Sequence, residues 1–397
     1  MKKLLVIGTV FPEPASSAAG TKMMQWLSFF QRNNYQIAYA STSPESEFSA
    51  DLSPFVSEQK VIKVNDDAFS DFILSYTPDI VLYDRFMVEE QFGWRVREVL
   101  PSAVHLLETQ DLHFLRESRL KNSSFLNQTT KREIASVLRC DLSFIISGFE
   151  YDFLLDNFPF LDGKLFYFPL CYEGNEASSI PVSGRKGFCF IGNFLHEPNR
   201  QASLFIKKIW KEIRRELPDV DFHLYGAYPN QQILQLENKK EGFFVHGRAA
   251  SVAEVFSKHK VLLAPLLSGA GLKGKLLEAM QLGIVSVTTP IGSEGIGNAE
   301  NWNGKVVEKE ELTAAATELY RDDSGYEIYQ QNGYEILKEK FNISQFEKPV
   351  SESIETILKD VNHWRQKHYL SEILNHHRQQ SVRYLSKWIT SKQTDNN

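Results

Sequence analysis

Short apolar runs of strand length alternate with amphipathic stretches long enough for crossover helices, and the alternation occurs twice along 397 residues. That pattern belongs to α/β folds with a parallel, doubly wound sheet. In the first half, strands are predicted at residues 4–8, 36–41, 80–83, 104–107 and 142–147, with helices at 21–33, 88–100 and 129–139. The patterning gives way near residues 158–171 to Glu173-Gly174-Asn175-Glu176-Ala177-Ser178-Ser179, a linker composition. It restarts with a glycine-bounded strand at 187–192, a helix at 200–217, strands at 221–225 and 243–246, a helix at 252–258, and strands at 261–264 and 284–288. Two Rossmann-like domains are expected, residues 1–172 and 187–345, joined by a linker at 173–186 and followed by a helical extension at 346–397. Ligands of such sheets bind beyond the C-terminal strand ends.

Composition narrows the partners. The length exceeds what one hydrophobic core usually fills, and no apolar run approaches the ~20 residues that span a bilayer. A net charge of -6 gives no basic field for nucleic acid. Cys140, Cys171 and Cys189 are widely spaced and odd in number, which speaks against a disulfide framework or a structural zinc and for a reducing, cytoplasmic setting. Lys2-Lys3, the apolar residues 4–11 and the small residues 15–19 imitate a secretory signal, but they fit a first buried strand and its loop equally well, and the strand reading is preferred. Near the end, Trp364, Leu370, Ile373, Leu374, Tyr384, Leu385 and Trp388 supply an apolar stripe beside Arg365, Lys367, Arg378, Arg383 and Lys387. Such a helix either packs against protein or lies on anionic lipid as a peripheral contact at the inner face of a membrane.

The segment richest in chemistry is Ser268-Gly269-Ala270-Gly271-Leu272-Lys273-Gly274-Lys275-Leu276-Leu277-Glu278, which follows a predicted strand and opens a helix. Glycines let backbone approach a ligand, the first helical N–H groups suit a phosphate, and Lys273 or Lys275 adds a full charge. Glu278, a turn into the helix, is placed to accept hydrogen bonds from a ribose diol. The same features also describe an ordinary tight strand-to-helix turn. No Gly-Lys-Ser/Thr triplet is present, so this is no P-loop. The first strand is followed by Gly8-Thr9-Val10-Phe11-Pro12, which lacks the glycine fingerprint of dinucleotide binding.

Together with Gly283 and Gly292-Ser293-Glu294-Gly295, this segment resembles the nucleotide-sugar motif of the family 4 group of retaining glycosyltransferases, which have the GT-B fold. Phe190-Ile191-Gly192-Asn193, Asn199, Gly226 and His246-Gly247-Arg248 resemble the same domain in order and spacing, and the likeness covers roughly residues 1–345. It implies a donor site built from Gly192, Asn193, Arg200, Gly226, His246, Gly247, Arg248, Gly269, Gly271, Leu272, Lys273 and Glu278. The family motif carries two acidic residues; the second corresponds to Glu278 and the first to Ala270, so the sugar contacts differ here. The implied reaction moves a sugar from a UDP- or GDP-sugar to a glycan or glycolipid, with retention at the anomeric carbon. No cofactor or metal is expected, since no Asp-x-Asp pair stands at the end of a predicted strand to hold a divalent ion.

On the acceptor side, Arg85, Glu108 and Asp111 follow predicted strands, and Gly20 lies in the first loop. Glu108 and Asp111 also suit helix caps, and Gly20 a simple turn. His113 matches a histidine that the family often places after the corresponding strand, where it contacts the transferred sugar; the resemblance thus implies His113, Lys273 and Glu278 as catalytic. A nucleotide-sugar epimerase or phosphorylase on this scaffold, or a non-catalytic glycan-binding or scaffolding protein, are the alternatives.

Overall fold

The structure, a computed structural model, describes residues 1–173 and 182–394. Most of the predicted linker lies outside the described residues. The chain forms two compact units: one comprises Met1–Glu13, Ala19–Pro169 and Phe346–Asn397, the other Pro14–Ala18 and Leu170–Gln345.

The first unit is built on a seven-stranded sheet: β1 (Lys3–Gly8), β2 (Gln36–Ser41), β3 (Glu58–Val61), β4 (Ile80–Asp84), β5 (Val104–Glu108), β6 (Leu142–Ile145) and β7 (Leu165–Tyr167). The strand order is β3-β2-β1-β4-β5-β6-β7 and every pairing is parallel. One face is buried by Phe69, Ile73, Val88, Phe92, Val96, Ile134 and Val137, which pack on Leu5, Ile7, Val81, Tyr83 and Leu107. An aromatic cluster also sits at this sheet, where Trp26 stacks on Phe30 at 5.5 Å and meets Phe144 and Phe168 edge-on. The helix Ala18–Arg32 that carries Trp26 also buries Lys22, whose Nζ donates to the carbonyls of Phe168 and Pro169 and lies 3.3 Å from the Phe168 ring centroid.

The second unit has six parallel strands in the order β10-β9-β8-β11-β12-β13: β8 (Phe188–Ile191), β9 (Phe222–Tyr225), β10 (Phe243–Gly247), β11 (Val261–Ala264), β12 (Val285–Thr288) and β13 (Gly304–Val306). Both orders reverse direction beside their first strand, between β1 and β4 and between β8 and β11. Such switch points open a crevice at the strand ends.

Residues 346–397 return to the first unit. Asp141, at the entry to β6, is gripped by the helix Val361–Lys367: Arg365 Nε and Nη2 donate to its two carboxylate oxygens at 2.8 Å each, and Trp364 Nε1 donates to its carbonyl. Burial alone would raise the Asp141 pKa, but the hydrogen bonds and charge of Arg365 outweigh it and hold the carboxyl below its ordinary value. Removing one partner of a buried pair leaves an uncompensated charge. Arg365→Met should therefore destabilise the first unit by about 3 kcal/mol, read from its urea transition. Because the native pKa of Asp141 is depressed, the stability it contributes is full above its unfolded pKa and is lost as pH falls through the native one. The difference between the two proteins should shrink in acid.

Candidate functional site

In the second unit the loops after the switch-point strands β8 and β11 meet. Gly192, Gly226 and Gly247 stand side by side at the ends of β8, β9 and β10: Gly192 N–H donates to Tyr225 O, and Gly226 N–H to Gly247 O at 2.7 Å. A Cβ on Gly226 would lie 2.0 Å from Gly192 O, so only glycine permits this shelf. Beyond it, Asn193 is buried and its carbonyl accepts from the Asn199 amide at 2.8 Å, at the start of the helix Glu197–Glu216. Arg200, on that helix, is paired with Glu197, while Arg248 is exposed beyond the Gly247 corner. His246 Nε2 lies 2.8 Å from His223 Nδ1, and burial lowers the pKa of both rings.

The glycine loop after β11 approaches the same helix start. Gly269 (φ 136°) and Gly271 (φ 65°) adopt backbone conformations that side-chain-bearing residues avoid. They turn the chain so that Lys273 immediately precedes the helix Gly274–Gln281. Leu272 and Lys273 are buried; Lys273 Nζ donates to Gly271 O at 2.8 Å and lies 4.0 Å from Glu294. Lys275 reaches across to Asn199 Oδ1 at 2.6 Å, with its Nζ 4.0 Å from the Phe190 ring centroid. The two lysines thus hold different posts: one is tied to its own loop, the other joins the two loops.

Lys275 and Glu278 share a face of this helix, three residues apart. Burial drives the Glu278 pKa up to about 7, with Lys275 opposing the rise. Burial likewise brings Lys275 down to about 7, against the pull of Glu278. Near neutrality the pair is poised to exchange protons with a ligand, a property common at functional sites. Tyr172, which sequence reasoning did not single out, places a buried hydroxyl within electrostatic reach of Glu278, with no hydrogen-bond partner among the described residues. Its position depends on chain return, since Tyr172 pairs with Asn342 in a parallel bridge. Nothing in the local sequence signals that contact.

The acceptor-side candidates fall in the first unit and divide into two groups. At the ends of β4 and β5, Arg85 (φ 76°) and Gln110 (φ 65°) both adopt left-handed backbone. They are stitched together by Arg85 N–H donating to Glu108 O and by Gln110 Nε2 donating to Asp84. Asp111, His113 and Arg116 gather beyond this corner: His113 Nε2 lies 3.3 Å from Asp111 Oδ1, and Arg116 pairs with the other oxygen. Burial would raise the Asp111 pKa, but the adjacent His113 ring and the charge of Arg116 hold it well below the usual carboxylate range. His113 opens the helix His113–Lys121, whose first N–H groups are received by the Glu133 carboxylate, and its ring meets Phe86 edge-on at 5.3 Å.

Glu108 stands apart, fully buried, accepting from Trp26 Nε1 at 2.7 Å and from Gln110 N–H, with burial lifting its pKa to about 7 against Lys22. Gly20 lies within the first helix, where a Cβ would meet the Glu13 backbone at 2.4 Å, so close packing accounts for it.

Comparison with known proteins agrees with this geometry. Residues 185–322 match the family described as Glycosyl transferases group 1. A curated relative, an uncharacterized 44.6 kDa protein in the cps region of Klebsiella pneumoniae, is 26% identical over 164 residues; the match spans 38% of this chain and 42% of that protein's length. Among solved structures, sucrose-phosphate synthase from Thermosynechococcus elongatus superposes with a TM-score of 0.71 at 14% identity, covering 90% of this chain and 100% of that one. Anabaena HepE in complex with UDP and glucose gives 0.69 at 11% identity with the same coverage. A glycosyltransferase from Rickettsia africae gives 0.67 at 11% identity, covering 90% of this chain and 99% of that one. Residues 185–322 are accordingly similar to a glycosyl transferases group 1 domain, in a chain that has the GT-B fold and resembles the family 4 glycosyltransferases.

Proposed function

We propose that the chain transfers a sugar from a nucleotide diphosphate donor, a UDP-sugar before a GDP-sugar, to a glycan or glycolipid acceptor with retention at the anomeric carbon. The observation that carries this reading is the meeting of the β8 and β11 loops, which sets Lys275, Asn199 and Glu278 beside the N-terminus of the helix Gly274–Gln281. The match of residues 185–322 to glycosyl transferases group 1 supports it, as do the UDP and UDP-glucose held by HepE. The cps region named for the Klebsiella relative supports a place in polysaccharide assembly.

In the proposed reaction the bond between the anomeric carbon and the diphosphate breaks, and negative charge builds on the leaving phosphate. Lys273, Lys275 and the first N–H groups of the helix face that charge and stabilise it without a metal. Ionised Glu278 accepts from the ribose hydroxyls. His113 is assigned to the transferred sugar as its bond breaks, and Arg85 and Asp111 to the acceptor, roles that show in turnover and not in donor affinity.

A thermal-shift series with UDP- and GDP-sugars tests the donor assignment, because a ligand of the native state raises the melting temperature. One donor should stabilise the protein, and Glu278→Gln should weaken it by roughly ten- to a hundredfold, the usual loss of hydrogen bonds to a charged group. His113→Ala should leave that affinity unchanged while lowering kcat; equal losses in both would remove the assigned role. Chelation with EDTA should not alter turnover.

On the acid side of neutrality the pH dependence follows from Glu278. A carboxyl whose pKa stands at about 7 must release its proton to accept from the ribose, so donor affinity should fall as pH drops through 7, by up to tenfold per unit. Lys275→Met removes the charge that lowers this pKa, and should move the midpoint upward. Glu278→Gln should flatten the profile. Calorimetric titration between pH 5.5 and about 8.5 measures all three.

A further inference from the structure

The terminal helix, Tyr369–Thr394, is packed with its chemistry reversed. The side turned to the protein is lined by small polar residues, Ser371, Asn375 and Ser386, all buried. Ser386 Oγ receives Arg95 from the helix Phe86–Val99 and donates to Asn65. At about 100° per residue, these three fall on one narrow arc. Opposite them, over roughly 160°, lie Tyr369, Leu370, Ile373, Tyr384, Leu385 and Trp388, each from 46% to 67% exposed. They form two groups, 369–373 and 384–388, on one side of the helix; a soluble helix does the converse, and large apolar side chains turned outward in this way mark an interaction surface.

Charge and composition decide what the surface meets. The last 37 residues carry six Lys or Arg against Glu372 and Asp395, inverting the sign of a chain whose net charge is -6. The helix itself puts no carboxylate on the outward arc, while Lys387 and Lys392 stand at its two margins; Lys387 pairs with Glu98 at 3.4 Å, and Lys392 Nζ lies 4.0 Å from the Trp388 ring centroid. Protein–protein interfaces are depleted in Lys, whereas the boundary of an anionic bilayer selects for Trp and Tyr beside Lys that extends to the headgroups. No helix among the described residues is long and apolar enough to cross a membrane, so contact would be by lying on one. We propose that the outward face of this helix docks onto an anionic lipid bilayer, with its axis in the plane of the interface and its apolar side chains at the acyl boundary. The acidic remainder of the chain would be repelled by the same surface, which fixes which side faces the lipid. This proposal is independent of the reaction assigned above.

Co-sedimentation of the full chain with phosphatidylcholine vesicles, with and without an equal part of phosphatidylglycerol, tests it. Binding is expected to the anionic vesicles and to decline as salt is raised. The triple variant Tyr384→Ser, Leu385→Ser, Trp388→Ser should bind about tenfold less or weaker still; the positions are exposed, so its melting temperature should match the wild type. Lys387→Gln with Lys392→Gln keeps the apolar face and should lower binding to anionic vesicles alone. Wild-type protein left in the supernatant with anionic vesicles, or a well-folded triple variant that sediments as before, would overturn the proposal. So would a wild-type dimer in light scattering that becomes a monomer in the triple variant without either binding vesicles, since the face would then join two copies of the chain.

Discussion

A parallel sheet covered on both faces has nowhere to put polar chemistry except at its strand ends. That constraint shapes both units. In each, the strand order reverses beside the first strand, leaving two neighbouring loops that diverge to opposite sides and open a crevice. In the second unit the crevice receives the Gly192 and Gly269–Glu278 segments, and charge that the core could not tolerate collects there. Lys275 and Glu278 are both pulled towards neutrality by burial, and each is kept partly charged by the other. A site of this kind is electrostatically unsettled until a ligand arrives.

The first unit meets the same constraint differently. Its buried charges are mostly answered within the protein: Glu108 by Trp26, Glu133 by the N–H groups at the start of His113–Lys121, Asp141 by Arg365. Arg85, Asp111, His113 and Arg116 are partly open, at a corner held by two left-handed non-glycine residues. Such backbone is rare away from glycine, and it persists only where surrounding hydrogen bonds over-determine it. Here those bonds tie β4 to β5, which fixes where the Arg85 guanidinium begins.

Most of this could be read from residue order. The central strands are continuous apolar runs, and the structure places β2, β4, β5, β8, β9, β11 and β12 within a residue or two of the predicted bounds. The strands that escaped notice, β3, β7 and β13, all lie at sheet edges. β3, Glu58-Gln59-Lys60-Val61, is mostly exposed and has no apolar run, and β7 and β13 are three residues each, too short to stand out. The glycine loop was legible because phosphate-binding turns need particular residues at particular spacing. The roles of Asn199 and Tyr172 were not, because each depends on contact with a segment remote in sequence. Glu108 was conspicuous at a strand end, yet whether such a carboxylate faces solvent or Trp26 is settled by side-chain packing, which spacing alone does not encode.

The grip of Arg365 on Asp141 joins residues 224 apart in the chain. During synthesis the first sheet can assemble long before Arg365 exists, and until then the buried carboxylate at the entry to β6 lacks its bidentate guanidinium and is answered by the charges of Arg97 and Lys164 and by the His105 N–H. Leu170–Gln345, nearly all of the second unit, is translated in that interval. Completion of the first unit therefore waits on the last to be made, so the nascent chain passes through a stage in which the second unit is finished and the first is still open to chaperones and proteases.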